Sequence, residues 1–139
     1  MKFACLVYHE QKDQVSEADL AEIAAECEGA AAWNEEMRNG GHHVFTTGLQ
    51  SVRTARTLRN RNGRPLITDG PFAETREVLG GLTIIEARDL NEALELVSRF
   101  PARLTSVEVR PIMEPGAELT DPGDRMVMAA VQRASHPHL

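Results

Sequence analysis

The chain has 139 residues, 42% hydrophobic and 26% charged, a composition that supports one globular core and is too short for two. Its formal charge of −6 argues against direct nucleic-acid binding, which depends on neutralising phosphates with basic groups. The first apolar run, Phe3 to Tyr8, is too short for a signal peptide or membrane span, and nothing later approaches roughly 18 consecutive apolar residues. A soluble, cytoplasmic protein with no membrane partner is expected.

Lys2 to Tyr8 predicts a strand. Phe3, Cys5 and Val7 alternate with Ala4, Leu6 and Tyr8, so both faces are apolar and the strand belongs near the middle of a sheet. Ser16 has the character of an N-cap, with Asp19 three residues on. Leu20, Ile23, Cys27, Ala30, Trp33 and Met37 then keep steps of three and four until Asn39-Gly40-Gly41, which predicts a long amphipathic helix. Cys5 and Cys27 form no C-x-x-C pair, and both are assigned to the core as reduced thiols.

His43 to Leu49 predicts the second strand. Thr54 to Arg59 and Arg64 to Thr68 flank Asn62-Gly63, a strong short-range hairpin signal, and Pro65 places that hairpin at an edge. Leu82 to Ala87 is the next strand. Asp89 and Glu92 open a helix through Leu90, Ala93, Leu94 and Val97 that stops before Pro101, and Ser106 to Ile112 closes the pattern. The fold class expected is α+β, a ferredoxin-like split βαβ with an inserted hairpin. Residues 1–114 make the domain, and residues 115–139 a C-terminal tail, helical or loosely ordered around Met126 to Val131.

Two helices cover only one face of a four-stranded sheet, whereas the first strand is apolar on both. The second face needs cover from another chain, the tail or a ligand, and a homodimer is the simplest answer. The alternation of Val107 and Val109 with Glu108 and Arg110 makes that face partly polar.

The candidate site is Thr68 to Glu77, which sets turn-forming residues, an aromatic ring and charged groups between two strand-like segments. Gly70-Pro71 forces a tight change of direction. Phe72 is assigned as the anchor that pins the loop to the core. Arg76 is free to pair with a neighbouring carboxylate or to offer its guanidinium to an anionic ligand. Asp69, Glu74 and Glu77 lack the alternating acidic spacing of a calcium loop, and no metal is assigned.

Strand directions select among the histidines. In a split βαβ sheet the first two strands run the same way and the third runs against them. The end of the first strand and the loop from Asp69 to Gly80 therefore share one rim. His9 falls there, His42 and His43 fall at the opposite end, and His136 and His138 belong to the tail. His9 and Asp69 are the candidate catalytic pair, a carboxylate holding an imidazole as a base near neutral pH, with Tyr8 in reach of the same cavity. The competing reading is a solvated histidine at a strand end and an aspartate that stabilises its own turn.

Positions 53 to 64 carry Arg53, Arg56, Arg59, Arg61 and Arg64 with no acidic residue, so this hairpin holds +5 and the rest of the chain −11. Such polarity steers an anion or an acidic protein partner, or simply protects an exposed edge against aggregation.

Asp69-Gly70-Pro71-Phe72 with Ala73 to Glu77 behind it, Leu79-Gly80-Gly81, Leu90-Asn91-Glu92-Ala93, and Val107 to Ile112 resemble the YCII-related, or DGPF-domain, family across residues 1 to 114. The resemblance implies a dimeric α+β-barrel-like domain. Family members include proteins linked to alternative sigma factors, and a related member resembles a cofactor-free dehydrochlorinase of a hydroxylated aromatic. A His/Asp pair is often proposed as catalytic in the family, and Asp69 stands in the matching motif. Two functions follow. One is a small enzyme with no cofactor, moving a proton on a small molecule in a lyase or isomerase reaction. The other is a non-enzymatic binding or regulatory module whose partner is a sigma factor or another protein.

Overall fold

The computed structural model describes residues 1–135, and His136 and His138 lie outside the described residues. The elements in chain order are β1 (Lys2–Glu10), α1 (Glu17–Asn39), β2 (His43–Gly48), a 3-10 turn (Val52–Thr54), β3 (Arg56–Arg61), β4 (Arg64–Asp69), β5 (Glu77–Glu86), α2 (Leu90–Val97), β6 (Thr105–Pro111) and α3 (Pro122–Ser135). The main sheet has the order β2-β5-β1-β6 with antiparallel neighbours. This is the expected split βαβ arrangement, with β1 central.

The hairpin departs from expectation. β3 and β4 pair only with each other as a separate two-stranded sheet, not at the edge of the main one. Asn62 and Gly63 at its tip have φ of 51° and 76°, the left-handed pair that a tight two-residue turn requires. Pro65 has no N–H to give to a further ladder.

Both helices start as their sequences imply. Ser16 Oγ accepts from the Asp19 N–H at 3.1 Å while Asp19 Oδ2 accepts from the Ser16 N–H at 3.0 Å, which satisfies two orphan donors reciprocally. Asp89 caps α2 by accepting from the Glu92 N–H at 2.9 Å.

The core lies between the sheet and α1 and α2. Phe3, Cys5, Trp33, Met37, Ile85, Ala87, Ala93 and Leu96 are buried together. Trp33 meets Phe100 edge-on, with centroids 5.2 Å apart at 79°, and its Nε1 donates to the Leu96 carbonyl at 2.9 Å. That bond joins α1 to α2. On the same side Thr83 is buried, its Oγ1 2.7 Å from Thr46 Oγ1 and 3.5 Å from Asn34 Oδ1, so β2, β5 and α1 share one polar contact.

Only the C-terminal half of α1 follows the predicted stripe. Leu20 and Ile23 are 56% and 41% exposed, and Cys27 is exposed instead of buried. The N-terminal half leans sideways on the segment before β6. Glu26 Oε1 accepts from the N–H groups of Arg103 and Leu104 at 2.8 and 3.0 Å and from Thr105 Oγ1 at 3.1 Å. A Cβ at Gly29 would lie 2.8 Å from Pro101 Cγ, so the helix approaches through bare backbone. The side carrying Glu26 and Gly29 is turned inward, which leaves Leu20 and Cys27 outside.

The opposite sheet face carries Leu6 opposite Leu82 and Ala4 opposite Ile84, with Phe45 beside Ile84. Glu108 and Arg110 lie across from Leu6 and Ala4 and form an ion pair. That pair keeps the half-polar character read from β6, and beside it Phe45 is 48% exposed. The tail forms α3, a helix of 14 residues, none of them buried.

Trp33→Ala removes both the ring contact and the bond to Leu96. It is expected to cost about 3–5 kcal/mol of unfolding free energy in a denaturant titration, and a loss below about 1 kcal/mol would contradict this account of the core.

Candidate functional site

The rim forms where β1 ends and β5 begins. His9 lies opposite Val78 and Glu10 opposite Glu77, and the Gln11 N–H donates to the Arg76 carbonyl at 3.0 Å. The register shifts here: Val7 pairs with Gly81 and Tyr8 with Leu79, leaving Gly80 as an extra residue on β5. Bulges of this kind recur beside active sites, where they re-aim a side chain. Against β6 the register of β1 is unbroken, with Tyr8 opposite Ser106 and His9 opposite Thr105. His9 therefore points to the helix side with Phe3 and Cys5, and Tyr8 points to the face that carries Glu108 and Arg110. The two do not share a cavity.

The imidazole of His9 occupies the space left by Gly80. A Cβ at Gly80 would lie 2.4 Å from His9 Cδ2 and 2.7 Å from Nε2. Nδ1 is 3.1 Å from the Glu10 carbonyl oxygen. A carbonyl only accepts, so Nδ1 carries the proton and the lone pair of the neutral ring is on Nε2. Directly across the ladder, Thr105 donates its hydroxyl to Glu26 of α1. Gly48, opposite Gly81, has nothing within 4 Å of where its Cβ would stand, which leaves open space on this side of the rim.

Asp69 is held elsewhere. Its Oδ1 lies 3.0 Å from Arg56 Nε with the side chain 89% exposed, and among the described residues no hydrogen bond joins it to His9. The corner after it is sewn to the ribbon. The Gly70 N–H donates to Ala55 O and Thr57 Oγ1 to Gly70 O, both at 2.8 Å, and Arg59 donates to Phe72 O. Gly70 has φ 90°, a backbone state that glycine adopts without strain.

Phe72 is 74% exposed and is not the anchor expected of it. Polar contacts from Thr57 and Arg59 to backbone carbonyls do that work. Arg76 pairs with Glu10 at 3.4 Å, a contact worth at most about 1 kcal/mol in solvent. Glu77 stands across the ladder from Glu10, so the pairing of Arg76 with Glu10 falls where two carboxylates face each other. Glu74 is exposed and forms no ion pair among the described residues.

Glu26, Gly80 and Thr105 escape the sequence reading of the site. A Gly-Gly pair inside a strand is a bulge signal, and Gly80-Gly81 carried it. Nothing in the spacing of Glu26 distinguishes it from the other acids of α1.

At the far end of the sheet the His42 ring bonds the Glu86 carbonyl at 2.8 Å. His43 Nε2 is buried without a hydrogen-bond partner among the described residues. Burial, then the charge of Arg38, hold the His43 pKa below its ordinary value, against a weaker opposite pull from Glu35. Burial pushes the Cys5 thiol up to about 11, which keeps it unreactive near neutral pH.

Fold and site together define an antiparallel α+β domain with an imidazole set in a glycine bulge at the sheet rim. The chain belongs to the YCII-related domain family, whose model matches residues 1–115. An uncharacterised protein of Rhizobium meliloti (strain 1021) is 43% identical over 67 residues, which are 46% of this chain and 54% of that protein. The chain thus spans about half the length of the curated relative it matches. Among solved structures it is similar to 5-chloro-2-hydroxyhydroquinone dehydrochlorinase from Burkholderia phenoliruptrix AC1100, in complex with 2,5-dihydroxybenzoquinone. The TM-score is 0.42 at 17% identity, covering 84% of this chain and 97% of that one. No described helix is long and apolar enough to cross a membrane.

Two outcomes test this geometry. Gly80→Ala must displace the ring of His9, so Gly80→Ala and His9→Ala are expected to be non-additive in a denaturant double-mutant cycle, with a coupling of about 1 kcal/mol or more. Additive losses would separate the two residues. At the other end, the unfolded chain takes up a proton on His43 before the folded chain does. Stability from neutral His43 is complete above the ordinary pKa of 6.5 and declines as pH falls through the window beneath it. Urea midpoints at about pH 7.5 and about pH 5.5 should fall further in the wild type than in His43→Asn, and equal falls would contradict the assignment.

Proposed function

We propose that this chain is a cofactor-independent proton-transfer enzyme of lyase or isomerase type, acting on a small hydroxyaromatic or enol-forming molecule, with His9 as its base. The observation that carries this reading is the fixed imidazole. Nδ1 is tied to the Glu10 carbonyl, and the ring lies in the space that a Cβ at Gly80 would enter.

In this mechanism Nε2 takes a proton from an acidic C–H or O–H of the substrate. The imidazolium keeps its Nδ1–H on the Glu10 carbonyl, and the same proton returns to another atom of the substrate or to a leaving group. The space beside Gly48 admits the substrate on the helix side of the rim. Asp69 acts as a positioning residue. Its bond to Arg56 holds the Gly70-Pro71 corner, while the backbone of Glu10 orients the base. A second copy covering Leu6, Leu82, Ile84 and Phe45 completes the proposed assembly, a homodimer closed over the open sheet face.

A binding or regulatory module, with a sigma factor or another protein as partner, is the second reading, favoured by the exposed arginine ribbon. It requires no chemistry at His9.

The two separate in heavy water. Wild-type protein is expected to catalyse deuterium exchange into members of a panel of hydroxyquinols, hydroxyquinones and enolisable ketones, followed by proton NMR. His9→Gln should lose about a hundredfold or more of that rate, and Asp69→Asn should stay within about tenfold of wild type with its folded spectrum unchanged. Exchange that survives in His9→Gln, or wild type inert across the panel, would remove the enzymatic reading.

A further inference from the structure

The β3–β4 ribbon presents an open strand edge. Gly70 continues the ladder past Asp69, donating its N–H to the Ala55 carbonyl at 2.8 Å, and bonded pairs alternate along an antiparallel ribbon. Thr57, Arg59 and Arg61 therefore bond inward, to Thr68, Leu66 and Arg64. Arg56, Leu58 and Asn60 turn their N–H and C=O groups outward, and no backbone bond outside the ladder uses them. The matching outward positions on β4 are Pro65, Ile67 and Asp69, and Pro65 has no N–H to offer. The complete edge is that of β3, with five of its six residues exposed.

The two faces of the ribbon differ. One carries Arg59, Arg61 and Arg64 and the other Leu58 and Ile67, because successive side chains alternate between faces. Arg59 donates to the Phe72 carbonyl, whereas Arg61 and Arg64 stand opposite each other at the tip, like charges that an anion relieves. Among the described residues none of the three pairs with a carboxylate. A strand laid along β3 has the same alternation and meets both faces at once. Opposite Arg59 and Arg61 it needs carboxylates two residues apart, and opposite Leu58 an apolar side chain. The edge strands of the main sheet lack that pattern: β2 contains no carboxylate, and Glu108 of β6 is already paired with Arg110. The β3 strand of a second copy would set arginine against arginine.

We propose that the free edge of β3 takes an extended acidic segment of another protein as a third strand. Acidic side chains at alternate positions lie beside Arg59, Arg61 and Arg64, and an apolar one lies beside Leu58. The proposal rests on the second reading, a protein-binding module, gives it a partner chemistry, and asks nothing of His9.

The probe is a short peptide alternating glutamate with valine, titrated by fluorescence anisotropy, with amide hydrogen exchange followed by NMR. Its affinity is expected to fall as salt rises, and protection of the Leu58 and Asn60 amides should increase by about tenfold or more on binding. Replacing glutamate by lysine, or methylating the peptide nitrogens that face β3, should each weaken binding by about tenfold or more. Arg61→Glu/Arg64→Glu should do the same, with circular dichroism confirming the fold. A methylated peptide that binds as well as its parent would overturn strand addition while leaving a protein-binding role through charge alone. A wild type that binds no peptide, or Leu58 and Asn60 amides already protected before any is added, would overturn the proposal too. So would single-stranded RNA that binds the same arginines more tightly than the peptide and leaves those two amides unchanged.

Discussion

One absent side chain governs the rim. β5 holds one extra residue against β1 at Gly80, and the His9 ring lies where a Cβ at that position would stand. The geometry of the rim follows from that bulge. The register past the bulge places Val78 in the interior and turns Leu79 toward the face carrying Tyr8. The Leu49 N–H donates to the Gly80 carbonyl at 2.9 Å, so the end of β2 is fixed by the same residue that holds the imidazole.

The remainder of the molecule makes that seat rigid. The Trp33–Leu96 bond and the buried cluster around Phe3 and Ile85 clamp α1 and α2 onto β1 and β5. The Glu26 carboxylate ties α1 to the start of β6, one strand away from His9. Charge is partitioned on the same framework. The positive ribbon is a separate two-stranded sheet and the acidic first helix packs on the main one, and the ribbon carries the Asp69 corner with it.

Legibility in the sequence followed the range of the interactions. Signals completed within a few residues were readable: the reciprocal cap at Ser16 and Asp19, the left-handed pair Asn62-Gly63, and the alternation in β1 and β6. Strand order and direction followed from those elements, and they sufficed to send His9 to one end of the sheet and His43 to the other. Readings that needed three-dimensional extent failed. The stripe at Leu20, Ile23 and Cys27 has helical spacing, but spacing does not reveal that Glu26 and Gly29 turn a different side of the helix inward. Phe72 has the size of an anchor, yet Thr57 and Arg59 hold its loop through backbone carbonyls. Asp69 was placed by sequence beside the rim, whereas its corner travels with a ribbon that left the main sheet.

The tautomer of His9 tests the central claim most directly. Nitrogen-15 NMR of the ring at neutral pH distinguishes a pyrrole-type from a pyridine-type nitrogen at each position. An imidazole seated by Gly80 and tied to Glu10 predicts a protonated Nδ1 and a pyridine-type Nε2. A ring protonated on Nε2 alone, or averaged between the two forms as in a free peptide, would contradict it.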